Sequence, residues 1–132
     1  MTNSIKSRED FLSPYIIGAA IEAHRTLGGP GLLESVYEEA FVWELCQKEL
    51  DVERQKSVVI PYKGTTLGNP LVIDVLIENL IIVECKATVN YHPIYEAQLL
   101  TYLRITGLRL GFVINFGEKM VKDGIHRVVN QL

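Results

Sequence analysis

Residues 71–87, Leu-Val-Ile-Asp-Val-Leu-Ile-Glu-Asn-Leu-Ile-Ile-Val-Glu-Cys-Lys-Ala, constrain the fold more than any other stretch. Two β-branched apolar runs flank Glu78-Asn79, which reads as an antiparallel hairpin. Nearly every position in both runs is apolar, the pattern of strands covered on both faces. Asp74, Glu84 and Lys86 nonetheless sit inside them. Taking an ion out of water without good partners costs several kcal/mol, against a net domain stability of about 5–15 kcal/mol. Charges kept at that cost point to use.

The pleat says how they are arranged. Glu84 and Lys86 are two apart on one strand and share a face. Directly opposed residues across a hairpin also share a face. Pairing Asp74 with Glu84 leaves Glu78-Asn79-Leu80 as a three-residue loop. A two-residue loop would pair Ile73 with Glu84 and turn Asp74 away. The three-residue register is the one that gathers the charges. Two bare carboxylates on adjacent strands repel, and a hard divalent cation between them removes the repulsion. A neighbouring lysine suits the stabilisation of charge on a phosphate or an attacking water. The same residues also allow a plain ion pair between Lys86 and either acid at a sheet end.

The remaining composition sets limits. A chain of 132 residues reads as one domain, residues 1–132, large enough for a real core. The formal net charge of −3 provides no general basic field, which counts against non-specific duplex binding. Cys46 and Cys85 lack metal-ligand spacing and a secretory context, so both are expected as reduced thiols. No signal peptide is evident and no apolar run reaches about 18 residues, so the expectation is a cytoplasmic protein with no membrane partner.

Along the chain, residues 1–12 read as a loose lead-in or a first turn. Ser13-Pro14 reads as a helix start, followed by Ile16, Ile17, Ala20, Ile21 and His24 at helical spacing up to Gly28-Gly29-Pro30-Gly31. Residues 32–50 read as a second helix with Leu33, Val36, Tyr37, Ala40, Phe41 and Leu45 as its apolar stripe. Residues 52–62 follow as a strand, then the central hairpin. Pro93 opens a third helix that runs to about Ile105 and stops before Gly107. Residues 108–116 form another strand, and Asp123-Gly124 predicts a terminal hairpin between residues 119–122 and 125–129. The order predicts an α/β (α+β) domain, a mixed sheet flanked by helices.

Four segments resemble a known family. Gly31-Leu-Leu-Glu34-Ser-Val-Tyr37 is similar to the GxxExxY pattern of a family of small proteins within the PD-(D/E)XK nuclease superfamily. Asp74, ten residues, then Glu84-Cys85-Lys86 resembles the superfamily's acid and acid-x-lysine pair on adjacent strands. Gln98-Leu-Leu-Thr-Tyr102 is similar to the Gln-x-x-x-Tyr motif of its exonuclease-like branch. The element order resembles its restriction-endonuclease-like αβββαβ core. Where members often carry a histidine three residues before the glutamine, this chain has Tyr95, with His92 one helical turn earlier.

The resemblance implies a role for each residue. Asp74 and Glu84 would hold Mg²⁺ or Mn²⁺, with the Cys85 backbone carbonyl as a further ligand and Glu34 reaching the same cation from the second helix. Lys86 would orient and activate the attacking water, while Gln98 and Tyr102 would brace Lys86 or contact a phosphate. Tyr37 would hydrogen-bond Glu34 or contact a nucleotide. Each has a plainer reading. Glu34 is also an acid in a helix's first turn, where the macrodipole favours it. Tyr37 is equally explained by packing between helix and sheet, and Tyr102 as a partly buried tyrosine with a polar neighbour. His24 and Arg25 suit the C-terminal part of the first helix as cations. His126 reads as an exposed strand residue, and Trp43 lies off the apolar stripe, marking a partner surface or covering a helix flank.

The resulting expectation is a metal-dependent nuclease acting on nucleic acid, DNA ahead of RNA, with a homodimer or protein partner to offset its small size. The competing expectation is a non-catalytic relative that binds nucleic acid or protein and keeps the acids as relics.

Overall fold

A computed structural model describes residues 7–131. Helix α1 (Arg8–Thr26) and helix α2 (Glu34–Gln47) lead into strand β1 (Val52–Val58) and two short strands, β2 (Pro61–Tyr62) and β3 (Thr65–Thr66). Strands β4 (Leu71–Ile77) and β5 (Ile81–Lys86) form the central hairpin. Helix α3 (Ile94–Thr106), strand β6 (Leu110–Asn115), a 3-10 turn (Val121–Gly124) and strand β7 (Ile125–Val129) complete the chain. The main sheet runs β1-β4-β5-β6-β7, and only β5 and β6 are parallel, joined by the α3 crossover.

Apolar strands with two buried faces require cover on both, and they have it. Leu12, Ile16, Ala19 and Ala20 of α1 and Tyr37, Phe41 and Leu45 of α2 pack on Val75, Ile77, Val83, Cys85, Phe112 and Ile114. On the other face Leu99 and Leu103 of α3 pack on Ile73, Leu76, Ile82, Val113 and Val128. The expected mixed sheet flanked by helices is what forms. The central hairpin pairs Val75 with Val83, Leu76 with Ile82 and Ile77 with Ile81, which leaves Glu78-Asn79-Leu80 as the loop. Glu78 and Asn79 both take positive φ, the conformation of a primed hairpin turn, closed by Leu80 N–H on the Ile77 carbonyl at 2.9 Å.

Several expectations are corrected. The first helix begins at Arg8, capped by Ser7, whose side chain accepts from Asp10 N–H. The lead-in expected over residues 1–12 is therefore helical from residue 8, and residues 1–6 lie outside the described residues. Pro14 falls inside the second turn, where it forfeits a single backbone bond; the buried stripe from Leu12 to Ala23 outweighs that loss. The second helix is shorter than expected. Leu33 and Val36 of its predicted stripe are exposed, while Glu38 is buried in their place. The terminal hairpin does not form: β7 pairs antiparallel with β6, and residues 121–124 make the 3-10 turn. Asp123-Gly124 marked a turn correctly, but the apolar β6 edge is the better partner for Ile125–Val129.

His24 lies in the last turn of α1, as expected, whereas His126 is not the exposed strand residue expected. His24 is buried, with Nε2 2.9 Å from the Glu118 carbonyl, so it anchors the segment after β6. His126 is half-buried, stacked on Tyr91 at 4.1 Å between ring centroids, with Nδ1 3.6 Å from the Glu96 carboxylate.

One buried polar residue orders the end of the sheet. Asn115 is fully buried; its Oδ1 accepts from Thr88 and Gly117 N–H at 3.0 Å each, and its Nδ2 donates to the Thr88 carbonyl at 2.9 Å. It thereby clamps the chain two residues beyond Lys86. Asn115→Ala orphans three backbone groups and is expected to destabilise by about 2–4 kcal/mol in a denaturant titration. A loss near zero would show that the clamp does not hold this end of the sheet together.

Candidate metal centre and nucleic-acid site

The ladder between β4 and β5 stops at Val75–Val83, and continuing its register sets Asp74 opposite Glu84. There the strands part and side chains replace the backbone bonds. Asp74 N–H donates to Glu84 Oε2 at 3.0 Å, and Cys85 N–H donates to Asp74 Oδ2 at 3.0 Å. Each carboxylate is thus pinned by an amide of the opposite strand, with lone pairs to spare.

The electrostatics are those of an acid cluster short of positive charge. Burial, then the Asp74 charge, raises the Glu84 carboxyl to about 8. Burial also raises Asp74, opposed by the Cys85 N–H bond and reinforced by the Glu38 charge. Glu34 stands at the exposed N-terminus of α2, and its carboxyl is raised chiefly by desolvation, with Lys86 and the Ala87 amide opposing. It faces the cluster without joining it closely.

Lys86 projects from the same strand, yet among the described residues it forms no ion pair with these acids. Its Nζ lies 4.7 Å from the Tyr95 ring centroid instead, a cation–π contact. The plain Lys86–acid ion pair is therefore not what the structure holds. Tyr95, at the place of the histidine seen in the resembling family, is a platform for the lysine. His92 is occupied elsewhere, its Nδ1 accepting from Ile94 N–H at 2.9 Å. On α3, Gln98 Nε2 donates to the Tyr102 hydroxyl at 2.9 Å. Burial, and then the Glu84 and Asp74 charges, raise the Tyr102 phenol, which keeps its proton.

Two expected residues take other places. Tyr37 is fully buried, its hydroxyl donating to the Gly29 carbonyl at 2.6 Å and accepting from Leu32 N–H at 3.1 Å. Its ring stacks on Phe116 at 5.0 Å, so the packing reading holds and a substrate contact does not. The Cys85 thiol is buried in the α1/α2 core, and burial holds it well above its ordinary pKa. That residue offers only its backbone to the site.

Three residues escaped the sequence reading. Buried Glu38 accepts from Arg54 Nε and Nη2 at 3.1 and 2.9 Å and from Gln55 Nε2 at 3.1 Å. Glu38 lies four residues after Glu34, on the same helix face, which was a legible signal. Arg54-Gln55 gave a weaker one, two consecutive long polar side chains in a strand. A cavity of about 400 Å³ lies elsewhere, lined by Ile21, His24, Arg25, Gly28, Gly29 and residues 119–122, and contains none of the acids.

No three His, Cys, Asp or Glu side chains among the described residues are gathered closely enough to enclose an ion. The donor set still fits a hard cation. Mg²⁺ is usually held by one or two carboxylates, with waters and substrate oxygens completing it, and two facing acids, Glu84 buried and Asp74 half-buried, are relieved by such a charge.

A mixed five-stranded sheet between helices, with an acid and an acid-x-lysine on adjacent central strands, is the restriction-endonuclease-like arrangement. The profile of the PD-(D/E)XK nuclease superfamily matches residues 10–128, and the chain belongs to that superfamily. No curated protein and no solved structure gives a significant match.

The raised carboxyls make apo stability depend on pH. Between the ordinary glutamate value and about 8 the folded state holds the Glu84 proton that the unfolded chain releases. The Glu84 contribution to stability is therefore fully present below the ordinary glutamate value and is lost as pH rises through about 8, by an amount on the order of a few kcal/mol. Denaturation in EDTA checks this, and excess Mg²⁺ should flatten the fall. Asp74→Asn should lose metal affinity while holding or raising apo stability at pH 8. A large loss of apo stability with metal affinity intact would mean that Asp74 is structural.

Proposed function

We propose that this chain is a Mg²⁺- or Mn²⁺-dependent phosphodiesterase that hydrolyses nucleic acid, DNA ahead of RNA. The observation that carries the reading is the parting of β4 and β5 at Asp74 and Glu84, beside a lysine that neither acid neutralises. Asp74 and Glu84 would hold the cation, with the Cys85 carbonyl as a further ligand and Glu34 on its α2 side. Such a cation lowers the pKa of a bound water and neutralises charge developing on the phosphate.

The chain's own residues do the rest. The Lys86 ammonium, resting on Tyr95, has its donors free for the attacking water and a phosphoryl oxygen. Gln98 donates to the Tyr102 oxygen, which leaves the phenol proton to point at a substrate phosphate. Glu34 within Gly31-Leu-Leu-Glu34-Ser-Val-Tyr37 supports placing the chain in the GxxExxY branch, where Tyr37 would serve by fixing the loop before α2. Single strands and free ends suit the site better than intact duplex, because a net charge of −3 supplies little grip on a duplex backbone.

One observation favours a protein partner in addition. Leu33, Val36 and Trp43 are exposed along α2, a side chain row spaced for one helix face. A second copy or another protein covering that row would also add nucleic-acid contacts to those of this chain, and a non-catalytic binding module would use the same row.

Labelled single-stranded and duplex DNA and RNA, incubated with Mg²⁺, Mn²⁺ or EDTA, test the activity. Lys86→Ala should keep metal binding and lose turnover by about 10²–10³-fold; Glu84→Ala should lose both. Cleavage in EDTA, or cleavage unchanged in Lys86→Ala, would contradict the proposal. Metal binding without cleavage of any substrate would favour the binding module.

A further inference from the structure

Gln55 has a left-handed backbone, φ 49°, in the middle of β1. Arg54 pairs with Val75 and Lys56 with Ile73, so Gln55 sits opposite Asp74. A left-handed conformation is strained for a non-glycine residue and persists where the surroundings enforce it. Its consequence here is specific. Successive side chains of a regular strand point to opposite faces. Arg54 and Gln55 instead reach the same Glu38 carboxylate, Arg54 through Nε and Nη2 and Gln55 through Nε2 at 3.1 and 3.2 Å from the two oxygens. The same Gln55 Nε2 lies 3.4 Å from Asp74 Oδ1.

Both strands change face at this pair. Val52, Val75 and Ile77 pack in the α1/α2 core, whereas Val58, Leu71 and Ile73 pack in the α3 core. The ribbon therefore turns over at Gln55 and Asp74, and the turn is what brings the Asp74 carboxylate between α2 and β5.

We infer that Gln55 is a positioning residue for Asp74: its amide bridges the Arg54-held Glu38 carboxylate to Asp74 Oδ1 and sets the Asp74 side chain for cation binding. Two ionised carboxylates are acceptors only, so a group that bridges them must donate to both, and a neutral one does so without placing a fixed positive charge where a cation would bind. A primary amide, with two N–H on one nitrogen, does this. Arg54 balances Glu38, so the bridge rests on a neutralised anchor. Asp74 is then held by two donors from different strands, Gln55 Nε2 on Oδ1 and Cys85 N–H on Oδ2. The inference rests on the reading of Asp74 as a cation ligand.

The test separates the amide from the backbone. Gln55→Gly keeps the left-handed conformation and removes the amide; Gln55→Asn keeps an amide on a residue that tolerates that conformation. Mn²⁺ affinity by calorimetry and apo stability by denaturation are measured on wild type and both variants. Gln55→Gly should fold with stability at or above wild type and bind Mn²⁺ about 10–100-fold more weakly, and Gln55→Asn should recover part of that loss. Wild-type Mn²⁺ affinity in Gln55→Gly overturns the inference, as does a Gln55→Gly chain that fails to fold, since residue 55 would then be structural. Gln55→Asn no better than Gln55→Gly also overturns it. Absence of Mn²⁺ binding to wild type would instead remove the proposed function itself.

Discussion

Where β4 and β5 part, two backbone amides donate to carboxylates instead of carbonyls. Asp74 N–H goes to Glu84 and Cys85 N–H goes to Asp74. The rest of the structure is arranged to make that exchange tolerable. Five of the six β5 residues are buried, so an unpaired amide there would cost about 1–3 kcal/mol. The carboxylates satisfy those amides, and in return the amides fix where the carboxylate oxygens lie. Opening the ladder without side chains to replace it would leave orphaned backbone; closing it would leave no room for a ligand between the acids.

The cost appears as charge. Glu84, Asp74 and Glu34 all have raised carboxyls, and in each case burial is the first cause. Fully packed strands supply that burial, so the apolar runs that stabilise the sheet also charge the site. The nearest cation does not discharge it, because Lys86 rests on Tyr95 instead of pairing with an acid. Glu38, by contrast, is paired with Arg54 and hydrogen-bonded by Gln55. The site therefore sets an ion-paired acid, Glu38, beside an under-compensated pair, Asp74 and Glu84, on neighbouring elements, and the difference marks which of them is free to take a ligand.

Much of this was legible in the sequence because strand periodicity is rigid. Once Asp74, Glu84 and Lys86 lie in two-sided apolar strands, the register that sets Asp74 opposite Glu84 follows from the pleat, and the loop observed is the one it requires. The third helix was equally readable, since Gly107 takes the left-handed conformation that ends it. What could not be read depends on a break in that periodicity. Nothing local announces that β1 turns over at Gln55, because the left-handed residue is a glutamine where a glycine would have flagged it. Glu38 shares a helix face with Glu34, but its pairing was hidden for the same reason, as its partners come from a strand whose alternation fails. Pro14 misled in the opposite direction: a strong local signal for a helix start yielded to a buried stripe that began earlier. Tyr37 sits in a recognisable motif, but only packing reveals that its hydroxyl closes the preceding loop.

On this account Asp74 and Glu84 are held facing each other for a cation, and Glu84, raised by burial and by the Asp74 charge, reports on it. The Glu84 side-chain carboxyl ¹³C resonance, followed against pH in EDTA and again in excess Mg²⁺, measures this directly. The expected midpoint in EDTA is about 8, and Mg²⁺ should leave the group ionised throughout the neutral range. An ordinary carboxylate midpoint in EDTA, or a midpoint that Mg²⁺ does not move, would contradict the claim that these acids are held for a metal.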